Sequence, residues 1–232
     1  MTTPILPRLR EWLEREHERI DAVVFDVDGV LVLHRRALPG AVELLARLNA
    51  AGIPYTLLTN DACNAPAEKA AALRAAGIEV PEDTIYSAGH ALEDFVLERG
   101  LRGERFLVLG RLGDPSYAAL AGLEVTTDIE AIGTTRGIVL GEGGYDWEPA
   151  INAAVNHLVR SPEALLVCPN PDVYFPIRDG GIRLASGAVA HLIQEMVERY
   201  GRRCDPQYLG KPYAPVFEAA HARLERARPP EA

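Results

Sequence analysis

The sequence predicts an α/β protein built on parallel sheet, and two observations carry that prediction. Short, wholly apolar runs recur along the chain, which suits strands buried on both faces. Each run is followed by a longer segment of helical periodicity, and a strand–helix–strand rhythm makes a parallel sheet. Polar residues cluster where the apolar runs stop. In open parallel sheets that is where ligands are met, just beyond the carboxyl ends of the strands.

Residues 4–19 carry Leu6, Leu9 and Leu13 on one helical face with Trp12 beside them, the pattern of an amphipathic helix laid over a core. The first strand is expected at Ala22–Phe25. Pro39-Gly40 opens a helix over Ala41–Ala51 that Gly52 ends, and Tyr55–Leu58 is the next strand. A helix over Pro66–Ala76 closes at Gly77, a short strand lies near Thr84–Ser87, and a helix spans Ala88–Arg99. Strands at Arg105–Leu109, Gly137–Leu140 and Leu165–Cys168 alternate with helices near Tyr117–Ala121 and Glu148–Val159, a rhythm that could stand as a small α/β unit of its own. Ile182–Leu184 leads through Ala185-Ser186-Gly187 into a helix reaching about Tyr200, and a last helix covers Val216–Arg226.

The first strand runs directly into Asp26-Val27-Asp28-Gly29. Residues two apart on an extended segment face one way, so the two carboxylates can address one spot, and Gly29 permits a turn that a side chain would strain. Two hard oxygen ligands with room for water and a phosphate suit Mg²⁺, although two Asp residues can also simply end a strand at a solvated turn. A calcium loop is excluded, since its glycine and carboxylate positions hold Leu31 and Ala37. Thr59-Asn60-Asp61 ends the second strand, where a hydroxyl and a backbone N–H can bind a phosphate oxygen; the same triplet is equally good as a helix start. Gly141–Asp146 fails as a dinucleotide fingerprint because Asp146 stands where the third glycine belongs.

Composition narrows the class. With 232 residues, 48% hydrophobic and 25% charged, the chain is ordinary globular protein with ample core. Its net charge of −9 argues against nucleic acid or an anionic membrane as partner, but not against a small anionic substrate reached through a metal. Cys63, Cys168 and Cys204 make neither a disulfide framework nor a zinc pattern, which points to the reducing cytoplasm.

In order, Asp-x-Asp-Gly-Val after one strand, Thr59-Asn60 after the next and Gly210-Lys211-Pro212 late in the chain resemble the haloacid dehalogenase-like (HAD) hydrolases. The spacing, together with Pro169-Asn170-Pro171-Asp172 ahead of Ala185-Ser186-Gly187-Ala188, is similar to their class IIA, the NagD and p-nitrophenyl phosphatase-like group. The resemblance implies a Rossmann-like parallel-sheet core, residues 1–86 plus 187–232, with an inserted α/β cap of the C2 type over 87–186. It implies a Mg²⁺-dependent phosphatase acting on a small phosphorylated metabolite through an aspartyl-phosphate. Asp26 would be the nucleophile, Asp28 the general acid and then base, and both would serve the metal. Thr59 and Lys211 would hold the phosphoryl oxygens, with Gly29 and Asn60 assisting. Asn170, Asp172 and the Gly141–Asp146 loop are candidate substrate contacts, and a homodimer fits the group.

One departure stands out. The family carries a fourth motif, further carboxylates on a strand beyond the Gly-Lys-Pro helix, and nothing similar follows Lys211 here. The C-terminal part of the core is thus expected to be missing, leaving Val23–Phe25 on an open sheet edge. A shortened form of a longer protein, a partner that supplies the strand, or a phosphate-ligand binding or regulatory protein without turnover would each account for it.

Overall fold

The computed structural model describes residues 20–33, 35–177 and 180–227. The helix expected over 4–19 and the tail 228–232 lie outside the described residues. The chain folds as two compact units.

The first unit is assembled from Met1–Leu58, Pro66–Tyr86 and Ala220–Ala232. Strand β1 (Val23–Asp26) is followed by a small hairpin of β2 (Val32–Leu33) and β3 (Arg36–Ala37), then helix α1 (Ala41–Ala51), β4 (Tyr55–Thr59), α2 (Pro66–Ala75), a 3-10 turn at Glu82–Thr84 and β5 (Ile85–Ser87). The sheet order is β1-β4-β5, and β1 runs parallel to β4 in the register Val23↔Tyr55 to Asp26↔Leu58. Every residue of β4 is buried, as a central strand covered on both faces requires. Leu45 and Leu48 of α1, Leu57 of β4, Leu73 of α2, Ile78 and Ile85 form its core. Gly52 ends α1 in the left-handed region, φ 66°, and its N–H caps the Asn49 carbonyl. Among the described residues, β1 pairs with β4 alone and stands at the end of this three-stranded order, and Val24 on it is 44% exposed.

The second unit is assembled from Thr59–Ala65 and Ser87–Ala219. It contains α3 (Ala91–Glu98), β6 (Arg105–Leu109), α4 (Tyr117–Leu120), β7 (Glu124–Thr126), β8 (Gly137–Leu140), α5 (Trp147–Arg160), β9 (Leu165–Cys168), a hairpin of β10 (Tyr174–Pro176) and β11 (Ile182–Leu184), α6 (Ser186–Arg199) and β12 (Gln207–Tyr208); helix α7 (Ala214–Ala227) closes the described chain. Its parallel sheet has the order β12-β9-β8-β6-β7. Alternation decides the packing. Phe106, Val108, Val139 and Val167 face one hydrophobic layer with Leu92 and Val96 of α3. Leu107, Leu109, Ile138, Leu140, Leu166 and Cys168 face the other, with Ala154 of α5 and Ile193 of α6. Among the described residues, no helix is long and apolar enough to cross a membrane.

This unit is broader than the segment 87–186. It reaches back to Thr59–Ala65 and on to Ala219, because β12 adds to the sheet edge beside Val167 and Cys168 and because Asn60 is bonded to Asp172 and Lys211. Helix α3 begins three residues later than expected. Ala88 N–H donates to the Thr59 carbonyl at 2.9 Å and Gly89 N–H to the Ser87 hydroxyl at 3.0 Å, so those donors are spent before the helix starts. The two- and three-residue strands β2, β3, β7, β10 and β12 have no period long enough to be read from the sequence.

Candidate active site

Asp26 ends β1 and Asp28 follows two residues later, both exposed, with buried Val27 between them. The extended alternation therefore holds through the turn. Asp26 Oδ1 accepts the Val27 N–H at 2.8 Å. Beyond Asp28 the chain reverses tightly: Gly29 N–H donates to the Val32 carbonyl at 2.8 Å, and the N–H groups of Leu31 and Val32 donate to the Val27 carbonyl at 2.9 and 3.1 Å. Gly29 sits at φ 82°, a conformation that strains any side-chain-bearing residue, which is the reason for glycine there. Among the described residues, no group of three or more His, Cys, Asp and Glu gathers as a metal site. Two carboxylates still fit Mg²⁺, which keeps several waters and is commonly held by one or two carboxylates plus substrate phosphate.

Register then places the second motif. Asp26 pairs with Leu58, and Thr59 is the next residue of the same strand. Thr59 is buried at 2% exposure, and its hydroxyl accepts the Asp61 N–H at 3.1 Å, a local turn that starts the loop toward α2.

The second unit ties the second and third motifs together. Asn60 is buried, and its side-chain amide grips the Lys211 backbone from both sides: Oδ1 accepts the Lys211 N–H at 2.7 Å and Nδ2 donates to the Lys211 carbonyl at 2.9 Å. Nδ2 also donates to Asp172 Oδ1 at 2.9 Å. Gly210 makes this approach possible, since a Cβ there would stand 2.6 Å from Asn60 Oδ1 and from the Pro169 carbonyl. Asn170, equally buried, accepts the Asp172 N–H on Oδ1 at 2.9 Å and donates from Nδ2 to Glu142 Oε1 at 2.8 Å. Glu142 Oε1 also accepts the Ser186 N–H at 3.2 Å, with the Ser186 hydroxyl 2.8 Å away. The Cys168 thiol beneath this loop donates to the Asn170 carbonyl at 3.1 Å; burial, reinforced by Glu142 and Asp172, pushes its pKa well up and keeps the proton on sulfur.

The residues read from the sequence thus fall into two groups. Asp26, Asp28 and Gly29 stand in the first unit, and Thr59, Asn60, Asn170, Asp172 and Lys211 stand in the second. Asn60, Asn170 and Asp172 spend side-chain groups on holding the loop that carries Lys211. Glu142 enters the sequence reading only as part of the Gly141–Asp146 loop, a candidate substrate contact, and Ser186 only as part of the Ala185-Ser186-Gly187-Ala188 phrase. A lone carboxylate among glycines at the end of a buried strand was the one available signal for Glu142.

The sequence profile of the haloacid dehalogenase-like hydrolases matches residues 23–124. Dihydroxyacetone phosphatase of Corynebacterium glutamicum is 31% identical over 196 residues, covering 84% of this chain and 66% of that protein. Ribonucleotide monophosphatase NagD of Escherichia coli is 29% identical over 209 residues, covering 89% of this chain and 75% of that protein. The solved structure of Escherichia coli NagD superposes with a TM-score of 0.73 at 28% identity, over 89% of this chain and 75% of that one. A glycerol phosphate phosphatase from Mycobacterium tuberculosis, solved in complex with magnesium, shares the fold at TM-score 0.76 and 20% identity, over 90% of this chain and 60% of that one. The chain belongs to the haloacid dehalogenase-like hydrolases, in the class IIA branch of NagD and the p-nitrophenyl phosphatases. It spans 66% and 75% of the length of the two curated relatives described above.

Proposed function

We propose that this chain is a Mg²⁺-dependent phosphatase of the reducing cytoplasm that hydrolyses small phosphorylated metabolites through an aspartyl-phosphate. The observation that carries the reading is the clasp of Asn60 on the Lys211 backbone, which fastens residues 151 positions apart in sequence. That investment is expected if the cation on Lys211 and the hydroxyl of Thr59 must be held where one phosphoryl group is stabilised. Among curated relatives, dihydroxyacetone phosphatase, ribonucleotide monophosphatase NagD and glycerol-3-phosphate phosphatase are all named as phosphatases of small molecules, which supports the substrate class.

In this reading a carboxylate oxygen of Asp26 attacks phosphorus, a P–O bond forms to Asp26, and the bond from phosphorus to the ester oxygen breaks. Asp28 donates its proton to the departing oxygen, which leaves as the alcohol. Asp28 then takes a proton from water, whose oxygen attacks the same phosphorus and releases inorganic phosphate with the Asp26 carboxylate restored. Lys211 and Thr59 meet the negative charge on the phosphoryl oxygens. A side-chain oxygen of Asp26 and the backbone carbonyl of Asp28 would hold Mg²⁺, which would supply further charge neutralisation and leave the Asp28 side chain to carry the proton. The segment 87–186 serves as the cap that excludes water.

A second reading is favoured by one observation, that among the described residues no three or more His, Cys, Asp and Glu gather as a metal site: a phosphate-ligand binding or regulatory protein without turnover. Hydrolysis of p-nitrophenyl phosphate by the full 232-residue chain separates the two. The phosphatase reading expects turnover with Mg²⁺, its loss in EDTA, and a fall of at least about a thousandfold in Asp26→Asn. Turnover that survives Asp26→Asn overturns the nucleophile. A chain without turnover that binds inorganic phosphate, and still binds it in Asp26→Asn, establishes the second reading.

A further inference from the structure

We infer that Glu142 is a positioning residue for Lys211, acting through Asn170, Asp172 and Asn60; the consequence for catalysis rests on the phosphatase reading of Lys211. Every link lies within the second unit. Glu142 has a rigid root, because its backbone is bridged to Arg111 in both directions, Arg111 N–H to the Glu142 carbonyl at 3.1 Å and Glu142 N–H to the Arg111 carbonyl at 2.9 Å. Gly141 beside it has no room for a Cβ, which would run into the Arg111 carbonyl. The carboxylate is thus delivered from a fixed point rather than from a mobile loop.

The carboxylate can only accept, and that fact propagates. Facing Glu142 Oε1, Asn170 must present Nδ2, so its Oδ1 is turned toward the Asp172 N–H. The Asp172 carboxylate, likewise acceptor-only, must be met by Asn60 Nδ2, so Asn60 Oδ1 is turned toward the Lys211 N–H. Each amide is therefore held in one orientation from both ends, Asn170 by Glu142 and the Asp172 N–H, and Asn60 by Asp172 and the Lys211 backbone, so the two carboxylates reinforce the direction the backbone sets. Reversal of either would oppose an oxygen to a carboxylate and lose the bond. The loop between is pinned from both sides: Gly187 N–H donates to the Asp172 carbonyl at 3.0 Å, and Leu209 N–H to the Cys168 carbonyl at 3.2 Å. Ser186 steadies the far end, its single hydroxyl proton serving either Glu142 Oε1 or the Gly141 carbonyl 3.0 Å away.

The test compares Glu142→Ala, Glu142→Gln and Lys211→Ala in the full chain by amide hydrogen exchange and by p-nitrophenyl phosphate kinetics. Positioning predicts that the Lys211 amide exchanges roughly tenfold faster or more in Glu142→Ala, while amides of β6 and α5 keep their protection. Glu142→Gln retains an acceptor oxygen and restores most of the Lys211 protection. If the wild-type chain turns over and needs Lys211, kcat falls about tenfold or more in Glu142→Ala and recovers partly in Glu142→Gln, with KM changing less. Unchanged Lys211 exchange in Glu142→Ala overturns the inference. So does uniformly faster exchange across the second unit, which would mark Glu142 as merely structural, and so does an intact kcat in Glu142→Ala where Lys211→Ala abolishes turnover. Should Lys211→Ala leave turnover intact, the phosphatase reading of Lys211 fails, and the exchange data alone decide whether Glu142 positions that loop.

Discussion

Replacing Asn60 by Asp changes one NH₂ group for one oxygen and tests the clasp directly. Asn60→Asp keeps the acceptor for the Lys211 N–H but deletes the two donors that reach the Lys211 carbonyl and Asp172 Oδ1 at 2.9 Å each. The first is a neutral bond, with a net value of about 0.5–1.5 kcal/mol, and the second is charge-assisted, about 1.5–3 kcal/mol. Together they come to about 2–4.5 kcal/mol at pH 7, before repulsion between two carboxylates is added. With an urea dependence of about 2 kcal/mol per molar, the unfolding midpoint should fall by about 1–2 M. The pH dependence has a definite sign. The introduced carboxylate faces Asp172, so its folded-state pKa lies above its unfolded value of about 3.9. Stability relative to Asn60→Ala is therefore present at low pH, where the new carboxyl is protonated and can donate to Asp172. It is lost as pH rises through the raised folded value. Urea midpoints of wild type, Asn60→Asp and Asn60→Ala at pH 4.5 and pH 7 decide it. An Asn60→Asp chain as stable as wild type at pH 7, or a deficit that grows as pH falls, would refute the clasp.

Two further outcomes follow from buried titratable groups. Burial lowers the pKa of His157 from 6.5, opposed by a backbone hydrogen bond at Thr135, so the folded chain resists a proton that the unfolded chain takes up. Stability should be full above about pH 6.5 and decline as pH falls through the lowered folded value; His157→Leu should flatten that decline in urea midpoints between pH 7.5 and 5, and an unchanged slope would contradict it. Burial also raises the thiols, Cys204 to about 11 and Cys168 further, whereas Cys63 is half-buried and donates to Asp61 Oδ1 at 3.1 Å. A disulfide reagent at pH 8 should show one fast thiol that Cys63→Ser removes; a fast phase surviving in Cys63→Ser would place the reactive sulfur elsewhere.

Much of the fold was legible because its strands are buried on both faces. Arg105–Leu109, Gly137–Leu140 and Leu165–Cys168 occupy the residues expected of them, since a continuous apolar run between turn residues leaves little choice of boundary. Gly52 marked the end of α1 for an equally local reason. What escaped is decided at a distance. Strand β12 is two residues long and exists because Cys168 and Val167 lie alongside it. The reach of the second unit back to Thr59 likewise depends on Asn60 finding Asp172 and Lys211, pairs 112 and 151 positions away.

The site shows the same division between residue type and residue use. Asp26, Asp28 and Gly29 could be understood from spacing because their arrangement is a property of one strand and one turn. Asn170 and Asp172 are candidate substrate contacts in the sequence, set against ordinary turn use in a Pro-rich loop. In the structure Asn170 is buried with both ends of its amide engaged, and Asp172 has a carboxylate oxygen turned to Asn60. Changing Asp172 should accordingly lower turnover of every substrate by a common factor, where a true specificity contact would reorder them. The common factor follows from the bonds themselves: Glu142 and Asp172 carry acceptor-only carboxylates that Asn170 and Asn60 meet with their Nδ2 groups, and the Asn60 amide in turn holds the Lys211 backbone.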